Sequence, residues 1–187
     1  VEQLSAFLTD PGNADKAAAF AGALEIELDD IETFLDGLTP VRLRLDTRVT
    51  NHGFENGDAV AFQSVLQAGT AVLVDDTGMP VVKCNCGNPL LPPADDGSGS
   101  TDLEDVAENP DDAWEDFDVD QVITIDAAAE AVQSITIVDL ETGDLLDRPV
   151  GSSGGQDLGT GELQFTLEWD TNADLDLHVT DPRGEEV

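Results

Sequence analysis

Residues 48–93, RVTNHGFENGDAVAFQSVLQAGTAVLVDDTGMPVVKCNCGNPLLPP, decide the fold, because this stretch alone combines strand patterning, turn chemistry and both cysteines. Its centre reads as a β-hairpin. Ala71 to Val74 and Val81 to Lys83 are short β-branched runs, and Asp75-Asp76-Thr77-Gly78 between them supplies residues that tolerate a tight turn. Pro80 is expected at the start of the returning strand, where a missing amide hydrogen costs least. Asn51-His52-Gly53 and Glu55-Asn56-Gly57-Asp58 carry turn chemistry too and are expected as turns.

Working outward towards the N-terminus, residues 3–37 place apolar side chains at helical spacing. Leu4, Phe7 and Leu8 form one set, Ala17, Phe20, Ala21 and Leu24 a second, and Ile31, Phe34, Leu35 and Leu38 a third. Pro11-Gly12-Asn13 breaks the first helix from the second. Asp29 or Asp30 is expected to cap the third helix, Gly37 to close it and Pro40 to forbid its continuation. Three short helices of this kind cover one face of a sheet. From Val41 the period changes to two: Val41, Leu43 and Leu45 alternate with Arg42, Arg44 and Asp46, as in a strand with one dry face. Three of the five arginines, Arg42, Arg44 and Arg48, crowd this stretch. They are expected to neutralise neighbouring carboxylates, the alternative being an anionic ligand.

Towards the C-terminus, residues 94–120 hold twelve acidic residues and no basic one, the signature of an extended linker. Trp114 and Phe117 interrupt it and are expected to anchor it to a neighbouring surface. Beyond it the pattern is β: Val119 to Ile125, Ser134 to Leu140, Glu162 to Trp169 and Leu175 to Val179, with a turn at Glu141-Thr142-Gly143-Asp144. The fold class expected is therefore α+β. A three-helix cluster packs on a small antiparallel β-domain over 1–93, an acidic linker follows over 94–118, and an incomplete β-sandwich-like region occupies 119–187.

The charge balance excludes some partners. Seven Lys plus Arg against forty-one Asp plus Glu give a formal net charge of -34. Nucleic acid is disfavoured because phosphate contacts need the cations this chain lacks, and an anionic membrane surface is disfavoured on the same ground. The acidity fits divalent cation binding, a solvated acidic surface with acidic linkers, or a salt-adapted source. No run is long and apolar enough to span a membrane, and no signal peptide is evident. The abrupt helical start at Val1 raises the expectation of a leader upstream.

Few residues carry a chemical pattern. Cys84 and Cys86, one residue apart, leave three fates open: a zinc site short of ligands, a strained bond to each other, or a disulfide from at least one of them to a cysteine beyond this sequence, the expected fate. His52 and His178 have no nucleophile at a recognisable motif distance, so no catalytic residues are proposed and a non-enzyme is expected. The sharpest cluster is W-D-T-N-A-D-L-D-L-H at 169–178, with oxygen ligands at Asp170, Asn172, Asp174 and Asp176 in alternate positions. A hard cation such as calcium suits that set, although the EF-hand pattern is not met and Asp and Asn are also ordinary turn residues.

QSVLQAGTAVLVDD at 63–76 and C-x-C-G-N-P-L at 84–90 resemble an uncharacterised family of secreted or lipid-anchored actinobacterial proteins, a domain of unknown function. The resemblance implies an extracellular or cell-surface location, allows a lipid anchor upstream, and suggests a further cysteine before Val1. The C-terminal W-D…D-L-D-L-H-V-x-D-P-x-G pattern is similar to the first strands of a bacterial extracellular β-sandwich domain, and D-L-D strands of this kind resemble those of calcium-binding tellurium-resistance-type sandwiches. That likeness implicates Asp170, Asp174 and Asp176 in cation or structural contacts and implies a domain that continues past Val187. The function expected is a non-enzymatic structural or adhesion module at the cell surface. It would self-associate or bind a surface protein partner by strand addition, stabilised by divalent cations. The alternatives are a module binding a small ligand or cell-wall polymer, and a thiol redox protein or enzyme using Cys84 and Cys86.

Overall fold

A computed structural model describes residues 1–94, 114, 117–139 and 142–152. The chain divides into two compact units, Val1–Gln156 and Asp157–Val187, and every described residue belongs to the first. Three helices open it: α1 (Glu2–Thr9), α2 (Ala14–Leu24) and α3 (Ile31–Asp36). Pro11-Gly12-Asn13 forms a 3-10 turn between α1 and α2, with the Asp10 carboxylate accepting the Gly12 amide at 2.7 Å. The cap expected on the third helix is absent as a side-chain bond. A 3-10 turn over Leu28–Asp30 leads straight into α3, so Asp30 is already in a right-handed conformation that turns its carboxylate away from capping. Gly37 does close α3, its amide donating to Thr33 and Phe34 carbonyls, at φ -78.

Six antiparallel strands follow: β1 (Thr39–Arg42), β2 (Thr47–Glu55), β3 (Asp58–Leu66), β4 (Ala71–Val74), β5 (Pro80–Lys83) and β6 (Asn88–Leu91), in spatial order β1-β4-β5-β6-β2-β3. The central hairpin stands as the sequence predicts, with Pro80 opening β5. The Asp75 carboxylate organises its turn by accepting Thr77 N at 2.9 Å, Thr77 Oγ1 at 2.8 Å and Met79 N at 2.9 Å, while Gly78 takes φ +83. Asn51-His52-Gly53 is not a turn. It runs through the middle of β2, paired with Phe62, Ala61 and Val60, because the reversal is made at Asn56-Gly57, where both residues hold the positive φ of a two-residue hairpin. Pro40 sits in β1, an edge strand that can do without one amide donor.

The sheet separates two cores. Alternation along β4 sends Leu73 to the helical side, where it joins Val82, Leu35, Ile31, Phe20 and Leu8. Val72 and Val74 point the other way, onto Leu43, Val49, Leu66 and Leu90. Leu35, Val82, Val72 and Leu90 are fully buried at 0 % exposure, each contributing about 1.5–3 kcal/mol of hydrophobic stabilisation. The helices thus do cover one face, through Leu8, Ala17, Phe20 and Leu35.

The opposite face is covered by residues downstream of the acidic tract. Val119–Gln121 is a 3-10 turn, not the start of a strand, and the chain then touches the sheet by one parallel bridge, Thr47 to Ile123. Ile123 donates to the Asp46 carbonyl at 2.9 Å and accepts Arg48 N at 2.8 Å. Further on, Val132 N donates to Asp76 O at 2.7 Å, and a second hairpin forms from β7 (Ser134–Val138) and β8 (Leu145–Pro149). That hairpin is held beside β1 by Arg148 Nη1 on the Pro40 carbonyl at 2.6 Å and by Gly151 N on Thr39 Oγ1 at 2.9 Å. Residues 119–152 therefore pack on the N-terminal sheet. Trp114 and Phe117 meet each other edge to face, ring centroids 4.9 Å apart. The strands expected at Glu162 to Trp169 and Leu175 to Val179 lie outside the described residues.

Candidate functional site

Between the β1 side of the sheet and the second hairpin runs an open groove of about 960 Å³. One wall is the stretch 40–45, where Val41, Leu43 and Leu45 bring their side chains to the cleft. The other wall comes from two I-T-I triplets, with Ile123 and Ile125 in the covering segment and Ile135 and Ile137 on β7. Ile125 and Ile135 pack onto the buried cluster beneath, so the groove has an apolar floor continuous with the second core.

Three arginines line the same groove: Arg42, Arg44 and Arg148. Among the described residues no aspartate or glutamate lines it. Arg42, Arg44 and Arg48 are the arginines expected from the sequence to neutralise carboxylates, and among the described residues none of the three makes a close ion pair. Arg42 Nη1 donates to the Gly69 carbonyl at 3.1 Å, and Arg148 spends one nitrogen on Pro40. A guanidinium offers five N–H donors, so each of these two forks has donors left over. Arg48 does not line the groove; its Nε is buried without a hydrogen-bond partner.

A smaller cleft of about 320 Å³ lies under the helices and gathers His52, Cys84 and Cys86 with Leu4, Phe7, Phe20 and Lys16. His52 is buried at 7 % exposure, with Nδ1 3.2 Å from the Pro89 carbonyl. A carbonyl only accepts, so that nitrogen carries the proton. Both cysteines are free and exposed, and they do not bond to each other. Although Cys84 is exposed as a residue, the protein crowding its sulfur pushes the thiol pKa up. The positive N-terminus and Arg42 pull it partly back, and Cys86 pushes it further up. A raised thiol pKa means little thiolate near neutrality, the reverse of what nucleophilic or redox use requires. Asp170, Asn172, Asp174 and Asp176 lie outside the described residues. Among the described residues no three His, Cys, Asp or Glu side chains come together in a way that could hold a metal ion.

The strand expected at Ser134 to Leu140 is β7, Ser134–Val138, so segments of both walls were read in the sequence while their meeting was not. Arg42 and Arg44 were legible, but the strand expected from Val41 to Asp46 ends at Arg42, and a bend at Arg44-Leu45 leaves Leu45 49 % exposed where a dry face was expected. The repeated I-T-I at 123–125 and 135–137 is the signal that could have pointed to that meeting, since alternate isoleucines mark a strand face in need of cover.

Three helices on one face of an antiparallel sheet, with a downstream hairpin closing a basic-rimmed apolar groove on the other, define an α+β domain. The chain belongs to the family described as Domain of unknown function (DUF6777), which matches residues 1–151. The match ends close to the boundary of the first compact unit, so the family's domain includes the second hairpin. Comparison with curated proteins and with solved structures found no match. No described helix is long and apolar enough to cross a membrane.

Proposed function

We propose that this protein is a non-enzymatic binding module of the cell surface or extracellular space that takes a small, largely apolar ligand in the groove between β1 and β7. The single observation that carries this reading is the groove itself. Its volume of about 960 Å³ lies at the upper end of ordinary small-molecule sites, and its walls are apolar with a few polar groups at defined places. The resemblance of QSVLQAGTAVLVDD and C-x-C-G-N-P-L to secreted proteins supports the location. A calorimetric titration of the full chain with a neutral apolar probe, dodecanol, tests the binding. Saturable uptake is expected, and Ile137→Trp, which fills the groove, is expected to abolish it while the melting transition persists. Absence of uptake by the wild-type chain of dodecanol and of its charged analogues alike would remove this function.

A second reading, self-assembly by strand addition, is favoured by a separate observation. β3 stands at the sheet edge over nine residues with neither lysine nor proline, and Val60 and Phe62 are 43 % and 46 % exposed on it. Light scattering tests it. A concentration-dependent oligomer lost in Phe62→Lys supports assembly, and a monomer at every concentration, with and without calcium, counts against it. Calcium at Asp170, Asn172, Asp174 and Asp176 belongs to the same proposal, supported by the alternate spacing of those oxygen ligands.

A further inference from the structure

We infer that the ligand of the groove is an anionic single-chain amphiphile, a carboxylate or comparable anionic head on an alkyl tail; this rests on the binding reading above. The tail is argued from the floor, where Leu43, Ile125 and Ile135 join the buried cluster and leave a strip of apolar surface open to solvent. Water is poorly held on such a strip, so an alkyl chain gains by displacing it.

The head is argued from charge. Arg42, Arg44 and Arg148 line the groove and among the described residues no carboxylate does, so its described lining is positive in a chain whose formal net charge is -34. At physiological salt the screening length is about 8 Å, so an anion at the mouth responds to the three guanidinium groups that line it, opposed nearby by Asp147, whose carboxylate accepts the hydroxyl of groove-lining Thr136 at 2.8 Å. Arg42 and Arg148 are pinned by backbone carbonyls through one nitrogen each, which fixes the forks while leaving donors for a planar anion. Arg44 is exposed and makes no hydrogen bond or ion pair with another described residue. A neutral apolar ligand would use the floor and leave three guanidinium groups idle. A cationic one would be repelled by them.

The test uses the full chain and three probes of equal tail length, each below its micelle concentration: dodecanoate, dodecanol and dodecyltrimethylammonium. Calorimetry is expected to give dodecanoate at least about tenfold tighter than dodecanol, with the cation weakest. Arg44→Met, at an exposed side chain that bonds no other described residue, is expected to cut the dodecanoate-to-dodecanol preference about tenfold, and Arg44→Lys to restore part of it. Equal affinity for dodecanoate and dodecanol overturns the anionic head while leaving the groove as an apolar site. No binding of any probe overturns the groove reading itself. Partition of the protein onto phosphatidylglycerol vesicles with no uptake of free dodecanoate would mean that the arginines serve a membrane surface, and the inference would fall.

Discussion

The groove exists only while the second hairpin stays docked, and Thr39→Val measures what docks it. Thr39 is completely buried in β1, at 0 % exposure, and its Oγ1 accepts Gly151 N at 2.9 Å. Valine keeps the shape and the β-branch but removes the acceptor. A neutral hydrogen bond is worth about 0.5–1.5 kcal/mol net, and Gly151 is exposed enough to find water, so the cost is about 1 kcal/mol, roughly a fivefold shift in docking. The Arg148–Pro40 bond has a charged donor and is worth about 1.5–3 kcal/mol, so the hairpin remains docked in the single variant. Adding Arg148→Met should bring the total to about 2.5–4 kcal/mol and open the wall. Native-state hydrogen exchange reads this out. An undocked two-stranded hairpin is marginal in water, so the amides of β7 and that of Gly151 should exchange about fivefold faster in Thr39→Val. Those of Val72 and Val82, central in the sheet, should not change. Acceleration by the same factor everywhere would refute a separately opening wall, and no acceleration anywhere would refute the Thr39 contact.

Further outcomes are expected at four residues. In urea unfolding, Gly57→Ala at φ +98 with open space around it should cost about 1–2 kcal/mol from backbone strain alone. Gly87→Ala at φ +72 should cost a similar amount, about 1–2 kcal/mol, because the Leu4 Cδ1 that a Cβ would meet at 2.8 Å ends a flexible, half-buried side chain that can rotate away, and a much larger cost would mean that Leu4 is locked over the C-x-C turn. Leu35→Ala, at a site with 0 % exposure, should destabilise by about 2–5 kcal/mol, and a loss under 1 kcal/mol would contradict the helix-side core. In a Cys86→Ala background, alkylation of Cys84 by iodoacetamide should titrate above the ordinary thiol value, since burial favours the neutral form. The same sign makes its contribution to stability full below the unfolded thiol pKa and lost as pH rises through the higher folded one. A rate that titrates below the ordinary value would restore the thiol-redox alternative.

The elements that were legible in the sequence are those whose cause is local. Asp75 and Gly78 carry their own turn chemistry, and the Leu4, Phe20 and Leu35 sets carry their own period. His52 and Gly53 were misread because turn propensity is a weak prior. Asn56-Gly57 sits three residues further on, and a chain that reverses there can pair nine residues only by keeping Asn51 to Gly53 extended. β3 and β8 were not picked out because neither alternates: β3 exposes Val60 and Phe62, and β8 leaves Leu145 71 % exposed. The groove was half legible for the same reason. The alternation from Val41 predicts a strand that β1 keeps only to Arg42, and that Ile135 would cover this side depends on the pairing of Arg148 with Pro40 across more than a hundred residues.

The placement of the arginines bears on both functional readings, because a chain with a net charge of -34 offers its few cations abundant partners. An exposed ion pair is worth only about 0–1 kcal/mol, so nothing strong draws Arg42 or Arg148 to a carboxylate. Their bonds to Gly69 and Pro40 carbonyls instead join β1 to its neighbours and concentrate positive charge at one cleft. Two consequences of opposite sign follow. Strand addition at β3 brings two strongly negative chains together, so salt, by screening their repulsion, should strengthen it. Capture of an anionic head by Arg42, Arg44 and Arg148 is an attraction, which salt beyond the physiological range should weaken. One salt titration of each process therefore separates the β3 edge from the groove, and a groove affinity that rises steadily with salt would show that its apolar floor, and not its arginines, selects the ligand.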